Sequence, residues 1–127
     1  MIILTLVCYA NYREKEVYSM KNPQLLKGVL DGCVLQIINR QEIYGYDLIK
    51  ELQDTGFTDI KGGTIYPLLQ KLERNELIIG KTKSSPEGPN RKYFTITKDG
   101  QKELKEFINQ WANLVGVVEK ILEESYQ

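Results

Sequence analysis

The residues with chemistry to offer lie between positions 61 and 92 of a 127-residue chain, and they are of two kinds. Thr64, Tyr66 and Gln70 are hydrogen-bonding side chains at short helical spacing. Lys61, Lys71, Arg74, Lys81, Lys83, Arg91 and Lys92 are cations set against Glu73, Glu76 and Glu87 alone; seven against three leaves this stretch at about +4. The whole chain balances 17 basic against 17 acidic residues, so the remainder carries about −4. Polar side chains within a local basic surface suit hydrogen bonding to base edges together with contact to phosphates. The overall charge adds no support for such a partner. Other chemistries are poorly supplied. There is no histidine, which removes the commonest general base and metal ligand. Neither a phosphate-binding glycine loop nor a metal-ligand cluster is present, so no catalytic residue, metal or cofactor is expected. Cys8 and Cys33 are far apart and lack a CxxC partner. Cys33 falls in an apolar helical run and reads as a packing residue, with no sign of an oxidising compartment.

The element that must position the polar residues is residues 61–77, KGGTIYPLLQKLERNEL. Ile65, Leu68, Leu69 and Leu72 recur at helical spacing and form one buried stripe. Thr64 is the expected N-cap. Gly62 and Gly63 allow tight backbone approach just before it, and Pro67 is read as tolerable at an early helical position. Tyr66, Gln70, Lys71 and Arg74 fall outside the stripe. A small, polar start to an amphipathic helix is what a helix needs to enter a DNA groove end-on; an ordinary surface helix shows the same stripe.

The rest of the chain falls into order around that helix. Residues 1–10 are apolar but too short to span a bilayer, and they lack the basic start and cleavage site of a signal peptide. Residues 1–10 could add a short strand or helix to the domain; alternatively, Lys15-Glu16-Val17 back-translates to a purine-rich, ribosome-binding type of sequence ahead of Met20, so that residues 1–19 read as an extension outside the natural coding sequence. A cytoplasmic protein is expected. Residues 24–40 predict one buried helix containing Gly28 and Gly32, which permit close packing. Residues 44–53 predict a second, with Tyr46, Leu48, Ile49 and Leu52 facing the core and Gly56 ending it. Residues 78–83 and 91–96 predict two strands, joined by a loop over 84–90, SSPEGPN. Residues 97–127 predict a long final helix capped by Thr97. Along it Leu104, Phe107, Trp111, Leu114, Val118 and Ile121 step by three and four, a heptad seam. So broad an apolar face fits a symmetric dimer, or a helix folded back on its own domain. The expected organisation is an extension at 1–19, a winged helix-turn-helix at 20–96 and a dimerisation helix at 97–127. The fold class is mainly α with a small β-hairpin.

These residues and their order resemble the PadR family of transcriptional regulators. The resemblance rests on Leu26-Lys27-Gly28, Val34-Leu35, Tyr44-Gly45-Tyr46, Gly63-Thr64-Ile65-Tyr66-Pro67-Leu68-Leu69 and Lys71-Leu72-Glu73. It continues through Gly88-Pro89-Asn90-Arg91-Lys92-Tyr93-Phe94, Ile96-Thr97 and Gly100. It covers residues 20 to about 125 and is nearest to the small subfamily with one long C-terminal helix. It implies a homodimer binding a pseudo-palindromic operator on double-stranded DNA, usually as a repressor. Thr64, Tyr66 and Gln70 would touch bases or sugar-phosphate. Lys61, Lys71, Lys83, Arg91 and Lys92 would meet phosphates, which position without reading sequence. Tyr66 has a second reading, packing on the helix before it. Trp111 is placed as in a multidrug-binding member from lactic-acid bacteria, where paired tryptophans sandwich flat aromatic compounds. A small aromatic ligand between Trp111 and its symmetry mate, with Val115 and residues of the first helix as walls, is thus implied; a plain dimer-core anchor is the other reading. A dimeric winged-helix interaction module without specific DNA binding stands as the alternative function.

Overall fold

The computed structural model describes residues 23–123. Residues 23–105 belong to one compact unit and residues 106–123 to a second. The expectations for residues 1–19 and for the last helix beyond Glu123 lie outside the described residues. The elements are α1 (Pro23–Leu26), α2 (Val29–Arg40), β1 (Ile43–Tyr44), α3 (Gly45–Thr55), α4 (Gly62–Arg74), β2 (Ile78–Ser85), β3 (Gly88–Ile96) and α5 (Lys98–Glu123).

The single first helix of the sequence reading is two. Gly28 has φ 87°, a left-handed conformation that ends α1 and restarts the chain in α2. No heavy atom lies within 4 Å of where its Cβ would be, so Gly28 serves a turn and not a close helix contact. α2 contributes Leu30, Val34, Leu35, Ile37 and Ile38 to the core. Half-buried Cys33 packs against that core, and burial pushes its thiol pKa up. α3 ends as expected: the Gly56 amide, at φ 148°, donates to the Leu52 carbonyl. One assignment fails. Tyr46 is 60% exposed instead of in the core, because Gly45, Leu48, Ile49 and Leu52 take the inward face of α3.

α4 begins three residues earlier than expected. Lys61 is its N-cap residue and makes no side-chain cap bond, so Thr64 lies inside the first turn and is not the cap. The Tyr66 ring packs over Gly62, where a Cβ would come within 2.8 Å of Tyr66 Cε2, whereas nothing lies within 4 Å of where a Cβ at Gly63 would be. Pro67 is then the sixth helical residue, past the positions where an amide is dispensable, and it removes the bond that would run to the Gly63 carbonyl. Ile65, Leu69 and Leu72 are buried, as the stripe requires.

The sheet has three strands in the order β1-β3-β2, all antiparallel. The short β1, absent from the sequence reading, pairs Ile43 with Phe94 and Tyr44 with Tyr93. The predicted loop over 84–90 shrinks to Pro86 and Glu87, with Ser85 opposite Gly88 and a register shift between Lys83 and Ser85. Between α4 and β2 the Leu77 amide reaches back to the Leu72 carbonyl, and Glu76 takes φ 61°. Thr97 caps α5 as expected: its Oγ1 accepts the Gly100 amide at 2.9 Å and also contacts the Glu76 carbonyl at 2.8 Å. Leu104 is corrected. It is 4% exposed within the core of its own unit, because the first two turns of α5 pack there, and it is not free for a dimer seam.

Two stability changes follow. Glu76→Gly should raise stability by about 0.5 kcal/mol, since the left-handed cost to glutamate exceeds the entropy cost of glycine. Gly100→Ala should lower it by about 3 kcal/mol. Its methyl would overlap the Leu77 carbonyl oxygen, which the Thr97 amide and hydroxyl hold in place. Urea denaturation of both variants checks the two signs together.

Candidate nucleic-acid interface

Burying Ile65, Leu69 and Leu72 turns the rest of α4 outward. Gly63, Thr64, Tyr66, Pro67, Gln70, Lys71 and Arg74 are all exposed. The first turn has no side-chain cap, so its free amides offer a positive helix end to an anion. Thr64 and Gln70 stand on this outer face as the sequence suggested. Tyr66 takes parts of both its readings. It is 45% exposed, yet its ring edge lies where a Cβ at Gly45 would meet it at 3.3 Å, so the ring leans on the start of α3.

Beside Tyr66 is a cavity of about 400 Å³ between α3 and α4. Tyr46, Ile49, Lys50, Gln53, Lys61, Gly62 and Tyr66 line it. The Gln53 amide donates to the Ile60 carbonyl at 2.6 Å, which fixes the turn between the two helices. The result is an apolar floor, two tyrosine walls and two ammonium groups at the rim. Tyr46 and Lys50 were missed in the sequence. Their spacing of four on α3 places them on one face, but Tyr46 was assigned inward as an aromatic residue.

The wing supplies the other cations. Along β2 and β3 alternate side chains share a face, and the register sets Lys81 opposite Tyr93 and Lys83 opposite Arg91. The Arg91 guanidinium lies 5.0 Å from the Tyr44 ring centroid, and Lys83 Nζ lies 4.9 Å from that of Tyr93. Tyr44 and Tyr93 stand 5.8 Å apart, and Tyr44 and Tyr46 stand 6.2 Å apart. Two cations therefore sit on a tyrosine cluster that reaches to the cavity through Tyr46. Flat rings under a guanidinium restrict its motion without neutralising it.

The structure separates the candidate cations into two groups. Lys71 pairs with Asp31 at 2.7 Å, Lys92 pairs with Glu73 at 2.9 Å, and Lys83 pairs with Glu42. Lys61, Lys81 and Arg91 have no ion pair among the described residues. The pairs are part-exposed. Exposed pairs are worth about 0.2–1 kcal/mol, so a phosphate can compete with a carboxylate for the same ammonium. No group of metal-ligating side chains occurs among the described residues, and no described helix is long and apolar enough to cross a membrane.

In the second unit the outward face of α5 is apolar. Trp111 is 45% exposed, Leu114 54% and Ile121 65%, with Ile108, Val117 and Val118 also exposed. Phe107 is half-buried and stacks on Trp111, with centroids 6.4 Å apart and planes at 16°. Val115 is half-buried.

The arrangement has relatives. A crystal structure of a Streptococcus transcriptional regulator is similar at 53% identity and TM-score 0.70, covering 77% of this chain and 96% of that one. A PadR-like transcriptional regulator from Bacillus cereus matches at 45% identity and TM-score 0.71, over 78% of this chain and 96% of that one. A PadR family regulator from Eggerthella lenta matches at 32% identity and TM-score 0.72, over 92% and 97%. An uncharacterized protein of Lysinibacillus sphaericus is 29% identical over 106 residues, 82% of this chain and 97% of that one. The model of the transcriptional regulator PadR-like family matches residues 34–106, from the middle of α2 to the third turn of α5. The chain therefore belongs to the PadR-like family and is a DNA-binding transcription regulator, not an enzyme.

Proposed function

We propose that the chain acts as a homodimeric repressor on a pseudo-palindromic operator. The observation that carries this is the outer face of α4. It has an uncapped N-terminal turn, exposed Thr64 and Gln70, and cations to either side at Lys61 and on the wing. That end enters the major groove, with Thr64, Tyr66 and Gln70 at base edges or sugar-phosphate. Lys61, Lys81, Lys83 and Arg91 meet the flanking backbone, joined by Lys50 and Tyr46 at the cavity rim. Lys71 reaches phosphate by exchanging Asp31 for it.

One reading helix covers too little DNA for a specific site, and two related by a two-fold would enter grooves about 34 Å apart. The exposed Trp111, Leu114, Val118 and Ile121 supply the surface for that second copy, with Phe107 behind Trp111. An exposed apolar face of this extent is unusual on a monomer. A flat aromatic ligand between Trp111 and its symmetry mate, bounded by Val115, would alter the spacing of the two α4 helices and so weaken operator binding. The alternative, an interaction module without specific DNA binding, draws support from the neutralised Lys71, Lys83 and Lys92.

Two measurements decide between them. Fluorescence anisotropy on duplex DNA from upstream of the protein's own gene, against scrambled duplex, should show preference by ~10³ or more. The affinity should fall steeply with salt, by about one power per phosphate contact. Equal, weak binding to both DNAs would favour the interaction module. Leu114→Glu with Ile121→Glu should give a monomer by sedimentation and weaken operator binding by about 100-fold or more, while leaving the circular dichroism of the fold intact.

A further inference from the structure

One carboxylate connects the recognition helix to both long strands of the wing. Glu73 lies in the last turn of α4. Its Oε1 accepts from Lys92 Nζ on β3 at 2.9 Å, and its Oε2 accepts the Gly80 amide of β2 at 3.3 Å. β2 is an edge strand, so the Gly80 amide belongs to a row otherwise left to water or to another strand. Position 80 is itself shaped by the carboxylate. A Cβ there would overlap Lys92 Cε, and would approach Glu73 Oε2 to 2.9 Å and Phe94 Cε1 to 3.1 Å. Lys92 Nζ lies 5.6 Å from the centroid of the Phe94 ring. Glycine, carboxylate, ammonium and ring thus form one packed joint.

The joint also separates Lys92 from the other wing cations. Lys81, Lys83 and Arg91 share the sheet face with Tyr93, whereas Lys92 alternates to the opposite face with Phe94 and Gly80. We propose that Glu73 is a positioning residue that fixes the wing against the recognition helix, and that Lys92 serves this joint and not a DNA phosphate. The consequence for DNA rests on the operator-binding reading: α4 and the wing cations reach groove and backbone together only while the joint is closed.

The test uses Glu73→Ala and Lys92→Met in the full chain, the second keeping the apolar stem of lysine. Amide hydrogen exchange without DNA is measured first. Both variants should speed exchange at Gly80 by about tenfold; unchanged protection in both would overturn the joint. Anisotropy follows on a duplex chosen by the wild-type protein from random sequence and on its scrambled version, across a salt series. Lys92→Met should lose about tenfold on the chosen duplex alone, with the salt slope unchanged. Equal loss on both duplexes with a slope lower by about one would make Lys92 a phosphate contact and overturn its role here. If the wild type prefers no duplex, the operator reading fails, and the exchange result still decides the joint.

Discussion

Burial of the stripe Ile65, Leu69 and Leu72 is the constraint on which the rest of the molecule depends. These three side chains fix the rotation of α4 about its own axis, and that rotation decides which residues face out. Their burial is worth about 6 kcal/mol together. The missing amide and ring clash at Pro67 cost about 3 kcal/mol. The helix therefore survives a proline in its sixth position and keeps its outer face small and polar. The same burial brings the end of α4 against β2, so that groove-facing and backbone-facing residues hang from one core.

Electrostatics then refines what packing has placed. An overall charge of zero conceals a basic segment, and within that segment the cations are not equivalent. Lys71 and Lys92 are spent on carboxylates of the same unit, Lys83 has both a carboxylate and a tyrosine ring, and Arg91 rests on a ring that restrains it without removing charge. Ion pairs this exposed are weak, so they orient lysines in the free protein more than they stabilise it. The tyrosine cluster of Tyr44, Tyr46 and Tyr93 links the wing to the cavity beside α4 and makes one continuous surface of parts distant in sequence.

Much of this was legible in the sequence, for physical reasons that differ from element to element. The stripes of α2, α3 and α4 were plain because helical burial imposes its own period. The Thr97 cap and the Gly56 stop were plain because each is a local device. The break at Gly28 was missed because the apolar spacing runs straight through it. Thr64 was misread as a cap because good cap chemistry lies one turn too late, inside a helix that already starts at Gly62. The two-residue β1 carries no periodic signal and exists only through its pairing with β3. Leu104 fits the heptad seam by spacing, but the packing of its own unit takes it. Ion pairs such as Lys71–Asp31 join residues forty apart, and no local pattern announces them.

The central claim is that the outer face of α4, flanked by the wing, is the surface that meets DNA. The most direct measurement is a titration of ¹⁵N-labelled protein with duplex DNA, followed by amide chemical shifts. The account predicts the largest changes at Gly63, Thr64 and Gln70 and at Lys81, Lys83 and Arg91, with the exposed face of α5 around Leu114 and Ile121 unaffected. Changes concentrated on that α5 face, with α4 silent, would contradict it.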